Sequence, residues 1–155
     1  MSATGFLGTR AGALVDIAIV FFIAAPFLMA YALRLAKQRR FRSHQRVQVA
    51  VLLAGVAAIL FLEVSIRFGG ASAAYRESSL HGHAMVKSLF VAHLVIAFPT
   101  IASWCALAIV SSRRFSRELP GSFSAKHRRW DGLTFVGVWL TCITVTGLYV
   151  IVFAL

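Results

Sequence analysis

Three ionisable side chains lie inside long apolar stretches of the sequence, where a charge is costly. Asp16, Glu63 and His93 are each embedded among Val, Ile, Leu, Ala and Phe residues. A charge at the centre of a membrane helix costs roughly 2.5–3.5 kcal/mol on insertion scales, so such groups generally face a bundle interior or a water-filled cavity. Carboxylate and imidazole together are ligands for Zn, Fe, Mn or Cu(II), so the chemistry to consider is metal binding.

Four apolar stretches position these groups, over residues 14–33, 47–66, 85–110 and 133–155. Each meets the requirement of about 20 residues for a helix that crosses a bilayer. The chain is 59% hydrophobic, well above the roughly 45–50% of soluble domains. The alternating segments of an outer-membrane barrel are absent, and the connections are short. The sequence therefore predicts a single domain, residues 1–155, that is an all-α integral membrane bundle of four helices in up-down-up-down order.

The basic residues predict how the bundle is oriented. The net charge is +11, and twelve of the sixteen basic residues lie in two connections: Arg34, Lys37, Arg39, Arg40, Arg42 and Arg46 in the first, and Arg113, Arg114, Arg117, Lys126, Arg128 and Arg129 in the third. By the positive-inside bias both connections are cytoplasmic. We therefore predict a multi-pass protein of the plasma (inner) membrane with both termini outside, whose charge faces the lipid bilayer and not a nucleic acid.

The predicted topology gathers several ligand types in the outer half of the bundle. Asp16 and Glu63 fall within a turn or two of the outer surface, and His93 lies roughly 13 Å below it. His81 and His83 come just before the third helix on the same side. The sequence thus predicts a metal site formed by His93, Glu63, His83 or His81, with Asp16 as a further ligand, for an ion such as Cu, Fe or Zn.

Each of these residues also has a structural interpretation. Glu63 and Arg67 stand four residues apart in the order that favours a salt bridge on a helix. Asp16 can cap the first helix or be hydrated at the surface, and His93 can hydrogen-bond a neighbouring Thr or Ser. His81 and His83 can be solvated loop residues.

A second site is suggested by histidines at the cytoplasmic entrances of the second and fourth helices. His44 and His127 each lie among arginines. Axial ligation of a b-type haem takes an imidazole from each of two facing helices, and adjacent arginines can hold the propionates. The alternative is that both histidines belong to basic loops that touch anionic headgroups.

The pattern of these residues is similar to a known family. His44, His93, Lys126-His127-Arg128, Trp139 and Thr146-Gly147-Leu148-Tyr149 together resemble the four-helix membrane family catalogued as domain of unknown function 420. The resemblance covers nearly the whole chain. It implies that His44, His93, His127 and one of His81 or His83 are metal or haem ligands. It also implies a role beside copper chaperones in the maturation of haem-copper cytochrome oxidases.

Three functions follow as hypotheses. The first is a metal-binding membrane protein that serves metallocofactor assembly or redox chemistry in the respiratory chain, with cytochrome oxidase subunits or a metal chaperone as partners. The second is a small membrane oxidoreductase that uses the bound metal or a haem, and the third is a cofactor-free accessory subunit of a respiratory complex. The sequence has no GxSxG, HExxH, phosphate loop or nucleotide fingerprint, so whether the protein is an enzyme stays open.

Overall fold

Four long helices dominate the structure. The computed structural model describes residues 5–114 and 124–155. Its helices are α1 (Ala13–Lys37), α2 (Phe41–Arg67), the short α3 (Ala71–Arg76), α4 (Ala84–Arg114) and α5 (Ser124–Tyr149), and α5 continues as a π-helical turn over Val150–Ala154. The predicted all-α four-helix bundle is confirmed.

The long helices have the properties of membrane spans. α1, α2, α4 and α5 with its π-helical turn are each long and apolar enough to cross a bilayer. Large apolar side chains cover the outside of the bundle, and Phe27, Val95 and Phe98 are 61%, 67% and 66% exposed. A surface of this kind needs lipid around it, because a soluble protein rarely exposes apolar patches larger than a few hundred Å². Arg117 of the third connection lies outside the described residues.

The helices pack in a ring. α1 lies against α2 and α5, while α4 lies against α5 and, more loosely, against α2. Two hydrogen bonds fix the antiparallel register of α4 and α5, because Ser111 pairs with His127 and His93 pairs with Thr144. A residue a given number of positions before Ser111 on α4 therefore lies at about the same height as the residue that many positions after His127 on α5.

The interior combines apolar packing with close helix approach. Met29, Val51, Leu52, Trp104 and Val138 belong to one buried cluster with Ala25. Where α4 and α5 cross, a Cβ atom on Gly137 would collide with the Thr100 side chain. Small residues at such crossings allow helices to approach closely in lipid, where van der Waals packing replaces the hydrophobic effect between helices.

Two helices begin well before the apolar stretches from which they were predicted. α2 begins at Phe41 and α5 is helical from Ser124, whereas their apolar stretches begin at Val47 and Leu133. Hydropathy marks only the part of a helix that meets hydrocarbon, while the helix itself continues into the polar interface. As a result His44 and His127 lie inside helices. We call the end of the bundle where α1 ends and α5 begins the basic end.

Candidate metal centre

The first turns of α2 and α5 build a polar cluster at the basic end. His44 and Gln48 are four residues apart on α2, and His127 and Asp131 are four residues apart on α5. Residues at this spacing share a helix face, so each helix presents two polar side chains to the interior. His44, Gln48 and Asp131 are 8%, 7% and 4% exposed, which makes this a buried polar site.

Three potential metal ligands converge within this cluster. His44, His127 and Asp131 each offer one ligand atom, and the three atoms lie within 4.8 Å of one another. The two imidazole rings are 6.3 Å apart between centroids and nearly perpendicular, at 87°. In the part of the chain that the structure describes, no other three His, Cys, Asp or Glu side chains converge in this way.

The tautomer of His44 follows from its hydrogen bond to α1. Its Nδ1 lies 2.8 Å from the carbonyl oxygen of Ala32. A carbonyl oxygen can only accept, so Nδ1 carries the proton and donates it. In the neutral ring Nε2 then holds the lone pair, and it lies 3.8 Å from Asp131 Oδ2. Metal-binding histidines usually donate their second ring N–H to a carbonyl or carboxylate in this way.

The other two groups are also oriented by neighbours. Gln48 Nε2 donates to Asp131 Oδ1 at 2.6 Å, which leaves Oδ2 as the oxygen nearer to His44. His127 Nδ1 lies 2.9 Å from Ser111 Oγ on α4. All four long helices therefore contribute, since α1 and α4 hold the imidazoles in place while α2 and α5 supply the ligand groups.

The distance between His44 Nε2 and Asp131 Oδ2 is too long for a hydrogen bond and is compatible with a metal ion shared by the two atoms. At 3.8 Å the two atoms are too far apart for a hydrogen bond, whose N···O distance is about 2.7–3.2 Å. Two atoms that bind one ion tetrahedrally at about 2.0–2.2 Å lie about 3.4 Å apart, so a shift of a few tenths of an ångström brings both atoms onto one ion. The distance thus suits a shared ion, and two imidazoles with one carboxylate suit Zn, Fe or Cu(II).

Asp16 has a structural role at the opposite end of the bundle. Its side chain is fully buried, Oδ2 accepts from the backbone N–H of Leu7 at 2.8 Å, and Oδ1 accepts from the hydroxyl of Tyr149 at 2.7 Å. Tyr149 also bonds to Thr9 at 2.8 Å. Asp16 therefore connects the segment before α1 to the end of α5. This role differs from both structural interpretations offered from sequence, which were a cap of the first helix and hydration at the surface.

The other residues of the predicted outer site occupy separate contacts. Glu63 forms an exposed ion pair with Arg67, and His93 Nδ1 lies 2.8 Å from Thr144 Oγ1. These are the structural alternatives that the sequence offered. The remaining two are loop histidines: the His81 ring lies 4.9 Å from that of Tyr75, and His83 Nδ1 accepts from the N–H of Met85.

The structure does not bring the five outer residues together. None of them belongs to a group of three ligand atoms within 4.8 Å among the described residues. Their role as metal ligands stays a prediction. The structure does bring together His44 and His127, the pair predicted to bind a cofactor.

Sequence reasoning missed Asp131 and Gln48. Asp131 precedes the apolar stretch that begins at Leu133, so it was not considered as a member of a helix. The available signal was spacing. Gln48 follows His44 by four residues and Asp131 follows His127 by four residues, and each histidine stands at the entrance of a helix. Extending each helix backward by roughly two turns places both pairs on the interior face.

Comparisons with known proteins assign no function to this site. The chain matches no family model, no curated protein and no solved structure. The geometry of the cluster and the membrane character of the helices are therefore the features that point to a function.

Proposed function

We propose that this protein binds one divalent transition-metal ion within the membrane bundle, through His44, His127 and Asp131. With the basic connections in the cytoplasm, the site lies near the cytoplasmic face of the plasma membrane. This differs from the outer-half site predicted from sequence, because the ligands converge at the other end of the bundle.

The observation that carries the proposal is the convergence of three ligand atoms within 4.8 Å, where His44 and Asp131 are buried and His127 is half-buried. A buried carboxylate is costly unless it is paired or coordinates a metal. Asp131 receives one hydrogen bond from Gln48, and its second oxygen stands 3.8 Å from His44 Nε2, beyond hydrogen-bond distance but within reach of an ion pair when the imidazole is protonated. A metal ion between them would supply the positive charge that this buried carboxylate needs, with both imidazoles as further ligands.

The geometry favours a single ion over a haem. A haem on His44 and His127 needs flat space for its macrocycle between the two rings. Asp131 presents its carboxylate within 4.8 Å of both imidazole ligand atoms, in the space that the macrocycle would take. A carboxylate is a natural third ligand for a bare ion and has no place in bis-histidine haem ligation.

The ligand set also limits the metal. It contains no thiolate or thioether, which are the ligands that select Cu(I). Zn, Fe and Cu(II) remain, as borderline ions that bind imidazole and carboxylate. Three protein ligands leave a coordination position open, which is typical of sites that exchange ligands or react, whereas purely structural zinc sites are closed by four.

We assign the use of the ion to metallocofactor assembly or redox chemistry in the respiratory membrane. The resemblance to a family in which some members look like maturation factors for haem-copper oxidases supports this use, since His44 and His127 are among the residues that carry it. The partners would be a metal chaperone or oxidase subunits. A small membrane oxidoreductase is the second candidate, supported by the open coordination position.

The test is elemental analysis and an absorption spectrum on protein purified in detergent without chelators. We expect one metal ion per chain in the wild type, less than a tenth of that in Asp131→Asn and His127→Ala, and no Soret band. Glu63→Gln and His93→Ala are matched controls that keep full occupancy. Metal lost with His93→Ala but kept with Asp131→Asn would overturn the assignment in favour of the outer site.

A further inference from the structure

Two buried polar atoms lie one helical turn deeper than the metal ligands. Trp104 on α4 is 7% exposed and Thr134 on α5 is 3% exposed. Neither the indole Nε1 of Trp104 nor the Oγ1 of Thr134 has a hydrogen-bond partner among the described residues. Unpaired polar atoms inside a membrane protein are costly, so each calls for a partner.

The register of α4 and α5 puts these two residues at the same level. Ser111 pairs with His127, and a Cβ on Gly137 would meet Thr100. Seven residues back from Ser111 is Trp104, and seven forward from His127 is Thr134. The two side chains therefore lie at matching heights on neighbouring helices, and both are buried.

Trp104 and Thr134 lie about one helical turn from the level of the proposed metal ligands, as positions along α5 and α2 show. Asp131, Thr134 and Val138 are the buried residues of α5 and define its interior face. Thr134 follows Asp131 by three residues, a rise of about 4.5 Å. On α2, Val51 packs in the same cluster as Trp104, and it lies about one turn beyond Gln48.

The axial rise of about 4.5 Å between Asp131 and Thr134 is comparable to the span of one small bridging ligand. An atom that binds the ion at about 2.1 Å and accepts a hydrogen bond at about 2.9 Å spans about 5 Å. The indole N–H can only donate, whereas a hydroxyl can donate or accept. The partner of Trp104 must therefore be an acceptor, such as water, hydroxide or a small anion.

Building on the proposed metal site, we infer that its open coordination position faces into the bundle and takes a small exogenous ligand that Trp104 Nε1–H and Thr134 Oγ1 hold by hydrogen bonds. The ligand is an oxygen or nitrogen donor of only a few atoms, because Trp104 belongs to a buried apolar cluster with Val51, Leu52 and Val138. In this arrangement Trp104 and Thr134 select a ligand for the ion without binding the ion themselves.

The probe is azide, added to protein loaded with Co(II) and followed by the visible absorption of the metal. We expect azide to change the wild-type spectrum. Trp104→Phe removes one hydrogen bond to a charged ligand and should weaken azide binding about tenfold. Thr134→Val, of nearly equal volume, should weaken it several-fold. Trp139→Phe is the control, since Trp139 packs edge to face against Phe27 and is not one of the proposed ligands, and it should leave azide binding unchanged.

The outcomes separate this inference from the proposed function. Stoichiometric Co(II) with equal azide affinity in Trp104→Phe, Thr134→Val and Trp139→Phe would overturn the inference and leave the metal site standing. A wild-type spectrum that does not respond to azide would do the same. Failure of the wild type to bind Co(II) would overturn both.

Discussion

His44 Nε2 and Asp131 Oδ2 face each other across the interior of the bundle at 3.8 Å, each held from behind by a hydrogen bond. The Ala32 carbonyl holds the imidazole and the Gln48 amide holds the carboxylate. An imidazole nitrogen and a carboxylate oxygen that face each other beyond hydrogen-bond distance are arranged as two ligands of one metal ion would be. Together with His127, these two side chains form the group of three whose potential ligand atoms lie within 4.8 Å of one another.

Gln48 positions the carboxylate, so its removal should weaken metal binding without removing a ligand. In Gln48→Leu the Asp131 Oδ1 atom loses its donor in a buried setting. We expect metal affinity to fall by about 10- to 100-fold, as for other residues that orient metal ligands. Competition with a chromophoric chelator measures this. Gln45→Leu is the control, because the Gln45–Ser112 bond is exposed and does not touch the ligands. An equal loss in both variants would contradict the positioning role.

Tyr149 should contribute to stability through Asp16. Tyr149→Phe removes the hydroxyl that donates to Asp16 Oδ1 and bonds to Thr9. A hydrogen bond to a charged group contributes about 1.5–3 kcal/mol, so we expect the free energy of unfolding in detergent to fall by about that amount. Tyr31→Phe, at an exposed position, should change it little. Metal content should be unchanged, and a loss of metal with Tyr149→Phe would restore Asp16 as a ligand candidate.

The His93–Thr144 hydrogen bond joins α4 to α5 within the membrane span. Thr144 Oγ1 donates to the Leu140 carbonyl, so it accepts from His93 Nδ1–H. A double-mutant cycle of His93→Ala and Thr144→Val should give a coupling of about 0.6–2 kcal/mol, as for other hydrogen bonds between membrane helices. Unfolding in mixed micelles measures it, with Thr141→Val in place of Thr144→Val as the control. A coupling of zero would show that the contact contributes nothing to packing.

Gly137 permits a close approach of α4 and α5 at Thr100. Gly137→Ala places a methyl group against Thr100, and overpacking of this kind costs about 1–3 kcal/mol. The double variant Gly137→Ala, Thr100→Ala should recover most of that loss. Gly132→Ala is the matched control, since its added Cβ meets open space and alanine favours helix. Equal destabilisation at the two glycines would contradict the proposed crossing.

The sequence predicted the bundle well because lipid imposes a simple requirement. Four apolar stretches of sufficient length must be helices if they cross hydrocarbon, so hydropathy alone leads to the fold. Hydropathy does not locate the helix ends. The cluster of His44, His127 and Asp131 lies near the beginnings of α2 and α5, where hydropathy gives no signal. His44 was predicted to open a helix, but Asp131 stood outside every predicted span.

The outer site illustrates a different limit of sequence reasoning. Depth along a helix follows from counting residues, but the direction of a side chain around the axis does not. Asp16 and His93 lie in the same half of the bundle, yet one binds Tyr149 and the other Thr144. Rotation of each helix, set by packing, decides which side chains meet.

The most direct test of the metal site is X-ray absorption at the metal edge on protein loaded with one equivalent of Zn(II). We predict a first shell of nitrogen and oxygen atoms at about 2.0–2.1 Å, with outer-shell scattering from two imidazoles. With Asp131→Asn the imidazole scattering should be lost, because this variant retains less than a tenth of the metal, while His93→Ala should leave the first shell unchanged. A shell containing sulfur, or one without imidazole scattering, would contradict the assignment of His44, His127 and Asp131 as the ligands.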